Sequence, residues 1–492
     1  MIRKLALLLA VGALAACAGP ASAPLQAERR PNVIFIVADD LGYGDLGSYG
    51  GPIPTPHLDA LAASGARMKA GYVTAAVCAP SRAALITGRH QSRFGFEFNP
   101  VGRDEQRGLP PGESTMAESL KQAGYATGAV GKWHLGQAAG FHPLDRGFDS
   151  YFGVLGGATS FWKTQGPGDE RAPTAEDRYI NRQRLPIYRG REVVNPDGYF
   201  TDVLTDEAVG FIDRHKSQPF FLYLAYTAPH TPLEASARYV ERFKHVENQH
   251  TRVYRAMVSA MDDGVGKLRA KLRAEGIDDD TLIVFVSDNG CANYVRGACS
   301  NGPLSGAKGY PWEGGIRVPF LVSWPGVIRP STPDAPVSIL DVRPTVAAAT
   351  GAAPVEGGGV NLLPALSGRG ALDAQRTLHW KTGPNFAIRD GRWKLLVVNK
   401  SDRGEKDTTE SVGQPLPDGV PARVSPLGQH VILFDLQNDP GETVDLAARH
   451  PDVVRRLQQR WAEWDRGNVA PLWTSRRQFH LEHQGRRIEL FN

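Results

Sequence analysis

Three apolar, β-branched runs end abruptly in residues with chemistry to offer: NVIFIVADD at 32–40, FFLYLAYTAPH at 220–230 and TLIVFVSDNG at 281–290. Continuous apolar runs of this length predict strands buried on both faces, as in a parallel sheet. Between them the period becomes helical. TPHLDALAASGARM predicts one helix, with Thr55 as N-cap and Pro56 at its first position; Thr115 and Glu118 form a capping box for another that stops at Gly124. A third, near 253–275, spaces Tyr254, Met257, Met261, Val265, Leu268 and Leu272 three or four apart. Strands alternating with helices predict an α/β sheet covered on both faces. From about 368 the pattern shifts to short strand candidates, NFAIRDGRWKLLVV at 385–398 and VILFDL at 431–436, with a polar loop at 400–425 and an amphipathic helix carrying Val454, Leu457, Trp461 and Trp464. The expected division is a large domain over 31–367 and a smaller α+β domain over 368–492.

At the start of the chain, Arg3 and Lys4 precede an apolar stretch of about a dozen residues, too short to span a bilayer but suited to an export signal. Leu14-Ala15-Ala16-Cys17 resembles the bacterial lipobox, in which cleavage before the cysteine leaves it to carry lipid; cleavage after ASA at 21–23 would instead place Pro24 behind the cut. The expectation is a signal peptide over 1–17, a linker over 18–30, and a lipoprotein anchored through Cys17 to a bacterial membrane, facing the periplasm or the outside. An exported chain meets an oxidising compartment. Of the 4 cysteines, Cys291 and Cys299 in CANYVRGAC are spaced for a local disulfide, which would leave Cys78 unpaired. The net charge of +4 is small for 492 residues; it mildly suits an anionic substrate, and no lysine-rich or basic–aromatic run points to nucleic acid.

Ligands of open α/β sheets bind beyond the carboxyl ends of the strands. Asp39, Asp40, His230, Asp288 and Asn289 all fall at such ends, so distant parts of the chain are expected to converge on one site. Aspartates after a strand also serve as caps or solvated charges. An oxygen-only set of Asp39, Asp40, Asp288 and Asn289 suits a hard divalent cation, calcium or magnesium, and its irregularity fits calcium's larger shell. Cys78 precedes APSRAALITG, which reads as a helix, and a helix N-terminus favours negative charge; the alternative is a buried structural cysteine. Lys132 and His134 stand two apart just past TGAV, on one face of an extended segment, the alternative being a surface lysine and a packed histidine. Lys308 lies between glycines, where a backbone can approach closely or a lysine can simply be solvated.

Together these stretches resemble the type I sulfatases, a group of arylsulfatases, N-acetylgalactosamine-6-sulfatase-like enzymes and bacterial polysaccharide sulfatases. AVCAPSRAALITG at 76–88 and GYATGAVGKWH at 124–134 carry the resemblance, and ADDLGYGD, TAPHTP, SDNG, GAKGYPWEGGIRVP and LFDLQNDPGE stand along the chain in the order the family shows. The resemblance implies an alkaline-phosphatase-like fold: a large mixed or parallel sheet flanked by helices, plus a C-terminal α+β subdomain with a short antiparallel sheet. It implies hydrolysis of sulfate esters, on a sulfated sugar or oligosaccharide. Cys78, with Pro80 and Arg82 completing the recognition core, would be oxidised to formylglycine by a separate generating enzyme. The hydrated aldehyde attacks sulfur with one hydroxyl and expels sulfate with the other. One calcium ion would be held by Asp39, Asp40, residue 78, Asp288 and Asn289. Lys132 and Lys308 would hold the sulfate charge, Arg82 the hydrated aldehyde, His134 its hydroxyl proton, and His230, with Lys308, would protonate the leaving oxygen. Rival readings are a phosphonate or phosphodiester hydrolase of the same superfamily and a glycan-binding pseudoenzyme; two-zinc members of the superfamily carry histidine where this chain has Asn289. The segments at 90–100 and 156–190 are expected to line the pocket, since loops beyond strand ends set specificity.

Overall fold

The computed structural model describes residues 30–100, 107–174, 176–177, 185–295, 297–354, 356–401, 427–475 and 478–491. The export segment, Cys17 and nearly all of the polar loop expected at 400–425 lie outside the described residues. The larger sheet takes its strands from β1 (Asn32–Ala38), β2 (Ala66–Arg67), β3 (Ala126–Lys132), β4 (Ser150–Val154), β5 (Ile187–Arg189), β6 (Glu192–Val194), β7 (Phe220–Ala225), β8 (Thr281–Ser287) and β9 (Phe320–Ser323). Its nine strands run in the order β2-β9-β8-β1-β7-β3-β4-β5-β6. The centre, β8-β1-β7-β3-β4, is parallel. Both edges are antiparallel, β9 against β8 and β5 against β4.

Alternate residues of β1 explain why its run is apolar throughout. Ile34 and Ile36 face a layer that includes α1 (Pro56–Ala63), α4 (Phe200–His215) and α5 (Gln249–Ala274), whose Phe211, Met257 and Leu268 are buried in the same cluster. Val33, Phe35 and Val37 face the opposite layer, with α2 (Cys78–Thr87) and α3 (Met116–Gln122). The Thr115–Glu118 capping box forms, and Gly124 follows α3 in the left-handed region at φ 81°. The third helix begins at Gln249, earlier than its apolar spacing indicates, because Asn248 Oδ1 caps it by accepting from Thr251 N at 3.0 Å. Thr55 occupies the N-cap position of α1, but its hydroxyl donates to Asp59 Oδ1 at 3.1 Å and accepts from Gly47 N at 3.0 Å instead of capping an amide of the helix's first turn.

The second sheet has six strands: β10 (Thr377–Thr382), β11 (Asn385–Asp390), β12 (Trp393–Lys400), β13 (Gln429–Asp435), β14 (Gln478–His483) and β15 (Arg486–Phe491). One face joins the core of the large sheet through Trp380, Leu396, Ile432 and Phe434. The other packs Leu395 and Leu433 against Leu457 of α6 (Pro451–Asp465). A fully buried ion cluster clamps the two sheets: Lys394 Nζ lies 3.0 Å from Glu313 Oε1 and 2.8 Å from Glu442 Oε1. Tyr72 donates its hydroxyl to Glu313 Oε2 at 2.7 Å. Glu313 follows the loop that carries Lys308, so the clamp anchors one wall of the site.

Candidate active site

Most of the candidate residues sit at or beyond the carboxyl end of a central strand or on the first turns of α2, and Lys308 reaches them from the long loop between β8 and β9. Asp39 and Asp40 end β1, Asp288 and Asn289 end β8, Lys132 closes β3 with His134 two residues on, and His230 follows β7. Asp39 N donates to Ala228 O at 3.1 Å and Asp288 N to Ala38 O at 3.0 Å, so the strand ends stay laced where side chains converge. Gly131 is required just before Lys132: its φ is 107° and a Cβ there would stand 1.8 Å from Ala225 O. Asp40 and His134 are themselves left-handed, at φ 64° and 61°, a conformation uncommon outside glycine and concentrated at functional sites. Val77 is extended and Cys78 opens α2, which places the thiol at the positive end of the helix.

Cys78 Sγ lies 3.6 Å from Asp39 Oδ1 and 3.8 Å from Asp40 Oδ1. Ligating atoms of Asp39, Asp40, Cys78 and His230 all fall within 4.8 Å of one another. Asp288 Oδ1 accepts from Asp40 N at 3.2 Å, and Asn289 Nδ2 donates to Asp40 Oδ1 at 2.7 Å. Arg82, one turn along α2 from Cys78, donates from Nε to Asp288 Oδ2 at 2.8 Å and from Nη1 to Lys132 O at 3.0 Å. Lys132 Nζ donates to both oxygens of Asp39, at 2.9 and 2.7 Å. Lys308 Nζ faces Asp40 Oδ2 at 2.8 Å and His230 Nε2 at 3.1 Å. His230 Nδ1 lies 2.6 Å from Thr231 O and so carries the ring proton, leaving Nε2 to accept from Lys308. Cys291 and Cys299 are joined, with residue 78 the free cysteine among the described residues.

Burial and charge set the protonation states. Burial pushes Asp39 up to about 7, against Lys132. Burial also opposes ionisation of Asp40, but Lys308, His230 and Lys132 outweigh it and hold that carboxyl well below its usual range. Asp288 is lowered in the same way, burial being overcome by Arg82 and Lys132. Burial and the Lys308 charge push His230 down to about 3, and burial with Lys132 and Arg82 holds His134 well below the usual imidazole range, so both imidazoles are neutral. Burial raises the Cys78 thiol far above its ordinary value despite Lys132 and Lys308. As encoded, this cysteine is a poor nucleophile.

Sequence reasoning missed Tyr294, whose hydroxyl donates to Asp40 Oδ2 at 3.0 Å; its position inside the Cys291–Cys299 loop was the available signal. The segment at 90–100 is mostly core instead of pocket wall: Phe96 and Phe98 are buried, Phe96 meets Trp473 edge-on at 4.9 Å, and Glu97 accepts from Gly383 N. Its contribution is Asn99, which accepts from Ala79 N at 2.9 Å in the first turn of α2. In the segment at 156–190, Gly157 lies against His134, where a Cβ would be 3.0 Å from Nε2; residues 175 and 178–184 lie outside the described residues.

An oxygen-rich cluster at the ends of parallel strands, flanked by two ammonium groups and a guanidinium beside a helix-opening residue, fits a hydrolase of anionic esters. The chain belongs to the sulfatase family, described as Sulfatase, which matches residues 31–352, and it is a sulfuric ester hydrolase. It is 33% identical to human arylsulfatase A over 475 residues, covering 89% of this chain and 88% of that one. It is 34% identical to N-acetylgalactosamine-6-sulfatase of Canis lupus familiaris over 480 residues, 90% and 86% of the two chains. The solved structure of Ps i-CgsB in complex with k-i-k-neocarrahexaose matches with a TM-score of 0.78 at 34% identity, covering 91% of this chain and 95% of that one. A phosphonate monoester hydrolase from Silicibacter pomeroyi shares the fold alone, at 19% identity and a TM-score of 0.59 over 89% and 96% of the chains.

Proposed function

We propose that this enzyme removes sulfate from a sulfated sugar or oligosaccharide, using residue 78 oxidised to formylglycine and one calcium ion. The observation that carries the reading is the placement of Cys78 Sγ, 3.6 and 3.8 Å from two strand-end carboxylates, with Lys132 and Lys308 on those same carboxylates. The named relatives and a neighbour bound to a neocarrahexaose support a carbohydrate sulfate as substrate.

The residues fit a hard cation. Asp39, Asp40 and Asp288 supply carboxylate oxygens, and the buried Asn289 Oδ1 has no hydrogen-bond partner, an acceptor left waiting for a positive charge. These four residues with residue 78 would hold the cation, which as calcium would supply Lewis-acid stabilisation of charge on the sulfate oxygens. Formylglycine supplies, as its hydrate, one hydroxyl to attack sulfur and a second from which sulfate is expelled.

The chain's own side chains do the rest. Lys132 and Lys308 bind and orient the anionic ester. Arg82 sets the end of β3 and the Asp288 carboxylate one turn from residue 78, and so positions it. His134, whose buried Nδ1 makes no hydrogen bond, is the residue assigned the hydroxyl proton of the hydrate, although burial and the cations around it weaken it as a base. His230 accepts at Nε2 from Lys308, so the proton that reaches the leaving sugar oxygen originates on the Lys308 ammonium. The proposed organisation is a catalytic domain over 31–367 and a C-terminal subdomain over 368–492, anchored by lipidated Cys17 outside the cytoplasm. The Cys291–Cys299 disulfide supports an oxidising compartment. Among the described residues no helix is long and apolar enough to cross a membrane.

The test is at residue 78. The tryptic peptide containing AVCAPSR is expected as an aldehyde, lighter than the thiol form and reactive with a hydrazine probe. Cys78→Ala is expected to abolish sulfate release from sulfated oligosaccharides, and Cys78→Ser to stall after at most one turnover. Multiple turnover by either unmodified variant refutes the mechanism; preference for phosphonate or phosphodiester substrates refutes the assignment of substrate.

A further inference from the structure

Lys308 Nζ has three N–H groups and three protein partners: Asp40 Oδ2, His230 Nε2, and the hydroxyl of Tyr294 at 3.2 Å. The Tyr294 ring also approaches the ammonium, 5.7 Å from centroid to Nζ. Tyr294 donates its single proton to Asp40 Oδ2 and accepts from Lys308, so it bridges the carboxylate and the cation that pairs with it. The bridge is held from outside the site. Tyr294 lies in the loop closed by Cys291–Cys299, and that loop is tied to the Lys308 segment by Lys308 N to Cys291 O at 2.9 Å and Asn293 Nδ2 to Tyr310 Oη at 2.7 Å.

We propose that Tyr294 is a positioning residue for Lys308, holding its ammonium poised between Asp40 and the bound sulfate ester. The inference rests on the role of Lys308 proposed above. A lysine on a flexible four-carbon stem settles on the best acceptor in reach. Without the hydroxyl, Asp40 Oδ2 loses one of its donors and draws the ammonium inward, and each turn of Lys308 toward an anionic ester then costs more. With an aryl sulfate, whose phenolate leaves without needing the Lys308 proton, the penalty falls equally on the ground state and the transition state, because Lys308 holds the sulfate in both; KM therefore rises while kcat changes little.

The experiment is a double-mutant cycle on the mature enzyme with 4-nitrophenyl sulfate as substrate and inorganic sulfate as inhibitor. Tyr294→Phe keeps the ring and removes the hydroxyl. It is expected to raise KM and the sulfate inhibition constant together by about tenfold, the worth of a hydrogen bond to a charged group, with kcat within about twofold. In a Lys308→Met background the same change is expected to alter both constants by less than about twofold. Cys291→Ser with Cys299→Ser, which untethers the loop, is expected to raise them in the same direction; unchanged constants there overturn the tethering. Unchanged constants in Tyr294→Phe, or equal losses in both backgrounds, overturn the inference alone. A Lys308→Met enzyme with wild-type KM overturns the role of Lys308 and this inference with it.

Discussion

Lys394→Met removes the cation from a cluster in which Lys394, Glu313 and Glu442 are all buried. Taking away one partner of a buried ion pair costs about 3–5 kcal/mol, because the other charge is left in a poor solvent. Glu313 retains Tyr72 at 2.7 Å and Arg317 at 3.4 Å, so most of the loss falls on Glu442. Burial already lifts Glu442 from 4.5 to about 7 with the lysine in place, worth about 3 kcal/mol of preference for its protonated form. A folded pKa raised above the unfolded one contributes stability that is complete below about pH 4.5 and is lost as pH rises through about 7. The variant pushes Glu442 further in that direction. Urea unfolding is thus expected to show Lys394→Met less stable than wild type by about 3–5 kcal/mol at pH 8 and by roughly 1–2 kcal/mol at pH 5, where Glu442 is protonated. Adding Glu442→Gln is expected to recover part of the pH 8 loss. A deficit below about 1 kcal/mol at pH 8, or an equal deficit at both pH values, refutes the reasoning.

Two further outcomes follow from the same physics. Burial raises Asp45 to about 7, and its carboxyl accepts from Gly42 N at 2.9 Å, Ser300 N at 2.8 Å and Tyr254 Oη at 2.6 Å. Its stabilising contribution is therefore complete below about pH 4 and lost toward pH 7; Asp45→Asn is expected to lower stability by about 1–2 kcal/mol at pH 5 and to flatten thermal stability against pH across that window. Chelation of the mature enzyme is expected to abolish aryl sulfate hydrolysis, with calcium restoring more activity than magnesium; full activity after exhaustive chelation would falsify the cation site.

What the sequence made legible was whatever local chemistry enforces. The buried parallel strands had to be apolar on both faces, so their polar ends stood out, and with them Asp39, Asp40, Asp288 and Asn289. Antiparallel β9 offered only the four residues Phe320–Ser323, a run too short to set a period, and its place beside β8 comes from pairing over long range. The aromatic residues around Phe96 read as pocket lining because nothing local reveals that Trp473, far along the chain, packs on them. Tyr294 escaped for a related reason: it belongs to a short 3-10 turn in an irregular loop, and its meaning lies in Asp40 and Lys308, brought to it by the fold.

The thiol of Cys78 is 1% exposed, beneath strand ends contributed by residues as distant as Asp288. On the function proposed above, a second enzyme must reach that sulfur, and a docked α2 leaves no path for one. Maturation is then a race against folding. The window stays open only until the chain past Asn289 has been made and β8 has taken its place beside β1. On that function, a molecule that folded first would keep a buried, protonated thiol and lack its nucleophile, so the active fraction would depend on the relative timing of modification and folding.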